Sequence, residues 1–276
     1  MPKFIKKTSK KAGSAPGTLI HIGEKKTAAT KIRLMGYDGE NLLEQTVDNI
    51  GNVFPLRDTP TRTWINIDGL HDIAMMEKLG RHFGVHPLTL EDIVNTGQRP
   101  KMEVFDGYVY VVLKMLYYRK EENEIRSEQV SLIFGEGWII SFQEADGDIF
   151  EPVRERIRKG RSRIRKAGCD YLAYALIDAV VDHYFLILEK AEEQIESLEE
   201  ELMDQPADDI LETVHELKRE MIYMRKQIWP IRELLGGMIK SESEFIDSST
   251  NIFFNDVYDH TIQVIDTIES YRDVLS

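Results

Sequence analysis

From Cys169 to Ser276 the chain is written almost entirely in helical grammar, and the length of those helices constrains the fold more than any other feature. The first is predicted to run from Cys169 to about Met203, roughly 50 Å at 1.5 Å per residue, far beyond the average globular helix. Gln205 and Pro206 interrupt the pattern, and a second helix is predicted from about Ala207 to Leu235, closed by Gly236 and Gly237. Two long antiparallel helices with a tight tip result. The tip is acidic, with Glu189, Glu192, Glu193, Glu196, Glu199, Glu200, Glu201, Asp204, Asp208, Asp209 and Glu212 set against Lys190. Most of these form a solvated face, but their summed field concentrates divalent cations nearby.

A third helix is predicted to open near Ser248 or Ser249. Phe254, Val257, Thr261, Val264, Ile268, Tyr271 and Leu275 follow alternating steps of three and four, a heptad seam. Tyr258, Ile262 and Ile265 add a second stripe, more apolar surface than one partner helix covers, so packing in a multi-helix or oligomeric bundle is expected. The pattern is still in register at Leu275 and Ser276, without the Gly, Asn or Pro that commonly ends a helix. The expectation is a stalk helix over 241–276 that has been cut before its end. No stretch of the sequence reads as the roughly 18 to 20 continuous apolar residues that cross a bilayer.

The first half has a different grammar. Residues 1–16, with Lys3, Lys6, Lys7, Lys10 and Lys11, read as a disordered basic tail. Over 17–168 the runs TLIHIG, TWINID, YVYVVLKMLYY, EQVSLIF and WIISF read as strands, with helices over Asp72 to Phe83 and His86 to Asn95. Tyr108 to Tyr118 is apolar on both faces, so it belongs to a sheet covered by helices, paired antiparallel with Glu124 to Phe134. The fold class is α/β. Asp148 to Lys166 reads as one helix whose crowded Arg and Lys form a solvated face, since no stacking aromatics interleave.

A hydrophobic content of 42% supplies a core, while a net charge of -13 disfavours nucleic acid and favours cationic partners. The single Cys169 lies in an apolar helical pattern and has a packing role. No Gly-rich phosphate loop, cysteine pair or nucleophile elbow is present in the sequence, so an enzyme is not favoured.

Three acidic groupings remain. Glu91 and Asp92 lie in the short helix of HPLTLEDI, where an ordinary acidic pair is the competing reading. Asp256, Asp259 and His260 share a face of the last helix, as solvent-facing charges also would. Asp178 lies inside the apolar run YLAYALIDAVV, where a carboxylate needs a partner or an ion. His82 and His86 are four apart, but Gly84 and Pro87 break the helix between and after them, which argues against zinc. Oxygen-rich, thiol-free ligands of this kind suit a hard cation, and for Mg2+ one or two carboxylates with retained waters.

The strings HPLTLEDIVNTGQRPKMEVFDGYVYVVLKM, SEQVSLIF, FQEADGDIFEPVRERIR, DYLAYALIDAVVDHYF, LKREMIYMRKQIWPIRE and DVYDHTIQVIDT resemble the cytoplasmic region of CorA magnesium channels, over nearly the whole chain from Gly17. That resemblance implies an α/β/α sandwich, a pair of long acidic helices over 169–240, and a stalk helix leading to two membrane helices, with five chains forming a funnel. It places the chain on the cytoplasmic side of the cell membrane. The family's GMN signature is absent here. The resemblance implies that Asp92 faces Asp256 of an adjacent subunit across a Mg2+ ion, with Co2+ or other divalent cations accepted, and that Glu91 and Asp178 contribute to a neighbouring position. Gly97 stands where a relative can have His. Ions bridging subunits would hold the funnel closed. Two other readings stay open: a zinc-transporting relative, and a soluble helical scaffold with no metal role.

Overall fold

The strand Tyr108–Arg119 buries residues on both of its faces, which requires a layer of structure on each side of the sheet that contains it. The computed structural model describes residues 13, 15–119, 124–147, 149–160, 162–204 and 208–276. It supplies both layers. The strands are β1 (Lys31–Tyr37), β2 (Leu42–Val47), β3 (Arg62–Asp68), β4 (Lys101–Phe105), β5 (Tyr108–Arg119), β6 (Glu124–Gly135) and β7 (Trp138–Gln143). They form one sheet in the order β2-β1-β3-β7-β6-β5-β4, with β3 and β7 parallel at its centre and every other pair antiparallel.

Alternation along the strands sends residues to two cores. Tyr110, Val112, Ile133, Ile140 and Phe142 face α1 (Ile73–Phe83) and α2 (Pro87–Val94). Val111, Leu113, Leu132 and Ile139 face α3 (Glu151–Arg158), α4 (Cys169–Asp204), α5 (Asp208–Ile239) and α6 (Asn251–Val274). The result is the expected α/β/α arrangement extended by long helices.

The heptad reading of α6 describes its packing. Phe254, Val257, Thr261, Val264 and Ile268 are buried, and Ile265 joins them from the second stripe. Both α4 and α5 pack on this helix. Helix α4 is long and apolar enough, by length and composition, to cross a membrane, which the sequence reading did not credit to any segment. In the fold 67% of its most apolar window is buried, as the central helix of the second core.

Several local expectations are corrected. The segment TLIHIG is not a strand. It is extended chain in which the Ile22 N–H donates to the Val94 carbonyl and the Thr96 N–H to the Ile22 carbonyl, a single bridge to the end of α2. Strands β1, β2 and β4 were not foreseen, because β2 is largely exposed and β4 only half-buried, which blurs their alternation. The basic helix is split: α3 ends at Arg158, and Gly160 at φ +74° turns the chain into a 3-10 turn at Arg163–Arg165. Its cations form a solvated face only in part: Arg158, Lys159, Arg163 and Lys166 are exposed. Arg154 and Arg165 are buried, Arg154 lies over the Trp64 ring, Arg158 pairs with Glu44 and Glu151, and Arg163 lies over Phe253.

Gly236 and Gly237 do not end α5, which continues to Ile239. A Cβ on Gly236 would stand 3.9 Å from the Tyr258 ring and one on Gly237 3.8 Å from Met102 Sδ. Tyr258 of α6 and Met102 of β4 thus lie over these positions at ordinary contact distance, which a side-chain methyl would also fit. The expected basic tail up to Ala12, the break at Gln205 and Pro206, and the acid residues Asp204, Asp208 and Asp209 at the tip lie outside the described residues or side chains.

Candidate metal centre

Asp178 and Asp182 are one turn apart on α4, so their carboxylates rise on one face of that helix. The face meets α6 where His260 projects from it. Ligand atoms of Asp178, Asp182 and His260 lie within 4.8 Å of one another, close enough for one ion. His260 Nδ1 is buried and has no hydrogen-bond partner, and the Phe185 ring stands edge-on to the imidazole at 6.1 Å. An imidazole so placed holds a nitrogen ready for a ligand.

The electrostatics of this site follow from its charges. Burial pushes the Asp178 carboxyl up to about 6, the Asp182 carboxylate adds to the shift, and Arg156 and His260 offset part of it. Asp256 acts on Asp178 as a further repelling charge, which sets it beside the same groove although it is itself exposed. Burial and the Asp178 carboxylate also push up the Tyr174 hydroxyl. A cation in the groove would relieve this repulsion, the condition under which partly buried carboxylates persist.

The expected grouping of Asp256, Asp259 and His260 is thus rearranged. His260 joins Asp178, expected as a ligand, and Asp182, which was not, although its spacing of four residues from Asp178 carries the signal. Asp259 is exposed and lines an open groove with Glu192, Asp266 and Tyr271.

Glu91 and Asp92 lie on α2, packed against the opposite face of the sheet from α4 and α6. Pro87 at the start of α2 and His86 as its cap, accepting from the Leu88 N–H at 3.2 Å, begin this helix. His82 is stacked on Phe54, so neither histidine is free to form the pair weighed for zinc. Glu91 is buried, and its Oε2 accepts from the Gly17 N–H at 2.5 Å, tying down the N-terminal segment.

Asp92 is fixed from several sides. Gln129 of β6 donates to its backbone carbonyl at 2.9 Å, while Oδ1 accepts from Gln98 Nε2 at 2.9 Å and Oδ2 from Lys101 Nζ at 2.7 Å. Its side chain keeps 20% of its surface exposed, with both carboxylate oxygens engaged by donors of the protein. Lys101 lies between Asp92 and Glu103, and its ammonium is raised because those bonds and charges outweigh its burial.

The CorA-like Mg2+ transporter protein family matches residues 61–276. The chain is 47% identical over 271 residues to the cobalt/magnesium transport protein CorA of Thermotoga maritima, covering 98% of this chain and 77% of that protein. It is 20% identical over 200 residues to the CorA of Methanocaldococcus jannaschii, covering 72% of this chain and 62% of that protein. In fold it is similar to the soluble domain of the M. jannaschii CorA, with a TM-score of 0.73 at 19% identity over 88% of this chain and 93% of that one. The cytoplasmic domain of ZntB from Vibrio parahaemolyticus is similar as well, with a TM-score of 0.69 at 15% identity over 88% of this chain and 93% of that one.

Proposed function

The chain belongs to the CorA-like Mg2+ transporter family, and from that premise we propose that it is the divalent-cation-sensing domain of a Mg2+/Co2+ channel, acting on the cytoplasmic side of the membrane. The observation that carries this reading is the convergence of Asp178, Asp182 and His260 in the groove between α4 and α6, beside Asp256. It is a hard-ligand site with one nitrogen, suited to Mg2+ through water and to Co2+ through the imidazole.

Asp92 and Asp256 stand on elements that pack against opposite faces of the sheet, and Asp256 is exposed. An ion shared by these two carboxylates joins neighbouring copies, and five copies would close a ring. Glu91 contributes through its anchoring of Gly17 behind Asp92, and Asp178 through the groove. Mg2+ that binds the closed ring better than the open one shifts the population toward closure, and several weak sites supply the few kcal/mol required. We take residues 17–168 with the helices of 169–240 as the sensing body and 241–276 as the stalk that transmits its state.

The test is thermal denaturation of the chain with Mg2+. At a tenfold excess over Kd one site adds about 1.4 kcal/mol. Asp92→Ala or Asp256→Ala should each remove the part of the shift that comes from the intersubunit ion, while Asp178→Asn should remove the part that comes from the α4–α6 groove. An undiminished shift in both refutes the intersubunit assignment.

A further inference from the structure

We propose that Lys101 is a resident counter-ion that sets the divalent-cation affinity of Asp92, yielding its place on the carboxylate when an ion arrives. The proposal rests on the reading of Asp92 as a cation ligand given above and concerns how that ligand is regulated.

Both oxygens of Asp92 already have donors. Gln98 Nε2 donates to Oδ1 at 2.9 Å and Lys101 Nζ to Oδ2 at 2.7 Å. A neutral amide on one oxygen leaves the charge of the carboxylate intact, whereas an ammonium on the other cancels most of it. Lys101 therefore occupies the position and supplies the charge that a metal ion would. It also has somewhere to go: the same Nζ is 2.8 Å from Glu103 Oε1, two residues along the edge strand β4. A flexible four-carbon stem lets the ammonium shift onto Glu103 without losing its ion pair. The Tyr110 ring, 5.7 Å from Nζ, provides a second electron-rich surface during that shift.

Exposure matches this role. The side chains of Asp92, Lys101 and Glu103 are 20%, 31% and 41% exposed, so solvent ions reach the group and the lysine is free to move. The triad carries one net negative charge with the ammonium in place and two with it removed. Exchange of ammonium for metal, rather than ion capture by a bare carboxylate, weakens binding and sets its midpoint at higher cation concentration. It also shields Asp92 from like charges on a neighbouring copy when the ion is absent.

The experiment is a Mg2+ titration of the chain followed by thermal denaturation, with Lys101→Met, Lys101→Arg, Glu103→Gln and Asp92→Ala compared. Lys101→Met should lower the Mg2+ midpoint about fivefold, the scale of a partly exposed ion pair. Glu103→Gln, which confines the ammonium to Asp92, should raise the midpoint, and Lys101→Arg should leave it within about twofold, since the charge is kept. A merely structural lysine would lower metal-free stability in Lys101→Met and leave the midpoint where it was, and that result overturns the proposal. An absent Mg2+ response in the unsubstituted chain, or a full response in Asp92→Ala, overturns the underlying reading of Asp92 instead. A lost response in Asp92→Ala with midpoints unmoved by the Lys101 and Glu103 substitutions overturns the lysine's role alone.

Discussion

Glu220→Gln should stabilise the protein, and the gain should grow with pH. Glu220 lies on α5 against the hairpin of β5 and β6, is 8% exposed, and accepts from the Ile125 N–H at 3.2 Å. Burial pushes its carboxyl up to about 7; the Ile125 hydrogen bond opposes the shift, and the nearby Glu124 and Glu216 charges add to it. In the unfolded chain the same group titrates near about 4.3. Between those values the native state binds the proton and the unfolded state does not. Stability is therefore fully present below the unfolded value and falls as pH rises through about 7, at up to about 1.4 kcal/mol per pH unit. The penalty is about 1 kcal/mol near about pH 5 and reaches a ceiling of about 3 to 4 kcal/mol near about pH 8.5. Glutamine keeps an acceptor for Ile125 and carries no charge to bury. Urea denaturation of both proteins at these two pH values measures the difference, which should be larger by about 2 to 2.5 kcal/mol at the higher one. An equal effect at both, or a loss at the higher pH, would refute the reasoning that burial governs this carboxyl.

Asp178→Asn should abolish the stabilisation by Co2+ attributed to the α4–α6 groove, and in the unsubstituted protein that stabilisation should fade as pH drops through about 6, because the proton then competes with the metal. A Co2+ shift that is independent of pH would contradict this, as measured by calorimetry across the range. Tyr184→Phe should cost about 1 to 2 kcal/mol, since its buried hydroxyl donates to the Lys114 carbonyl. Chemical denaturation checks the figure. Ile268→Ala, at a fully buried heptad position, should cost about 2 to 5 kcal/mol and weaken the docking of α6 on α4 and α5.

The parts of this fold that were legible in the sequence are those in which periodicity and burial coincide. Helix α6 is the clearest case, because Phe254, Val257, Thr261, Val264 and Ile268 are both in heptad register and buried. Strand β5 is legible as a continuous apolar run covered on both faces, and β6 and β7 as short β-rich segments between turn residues. Edge and near-edge strands were not: β2 keeps little of its surface from solvent, so nothing forced its residues to alternate. Helix ends are less legible: α5 runs through Gly236 and Gly237 to Ile239 despite a helix-interior cost of about 1 kcal/mol for each glycine. The arginines of α3 and of the turn after it read as solvated because nothing in the sequence shows that Trp64 and Glu44 return to meet Arg154 and Arg158, or Phe253 to meet Arg163.

The site was legible in its residue types and only partly in its grouping. Asp178 stands out in the sequence because a carboxylate in an apolar run needs a partner or an ion; the fold brings a second carboxylate, Asp182, four residues on, and His260, some eighty residues away, to within reach of one ion with it. The second contact is tertiary, so no local pattern carries it. Asp92 was selected through resemblance, and the lysine that sits on it became visible only when β4 was placed beside α2.

The central claim, that cations join neighbouring copies through Asp92 and Asp256, is tested most directly by sedimentation velocity of the chain with and without millimolar Mg2+. A larger species is expected in Mg2+ that is absent in EDTA and lost in both Asp92→Ala and Asp256→Ala. A sedimentation coefficient indifferent to Mg2+, or an Mg2+-dependent assembly that survives both substitutions, would contradict it.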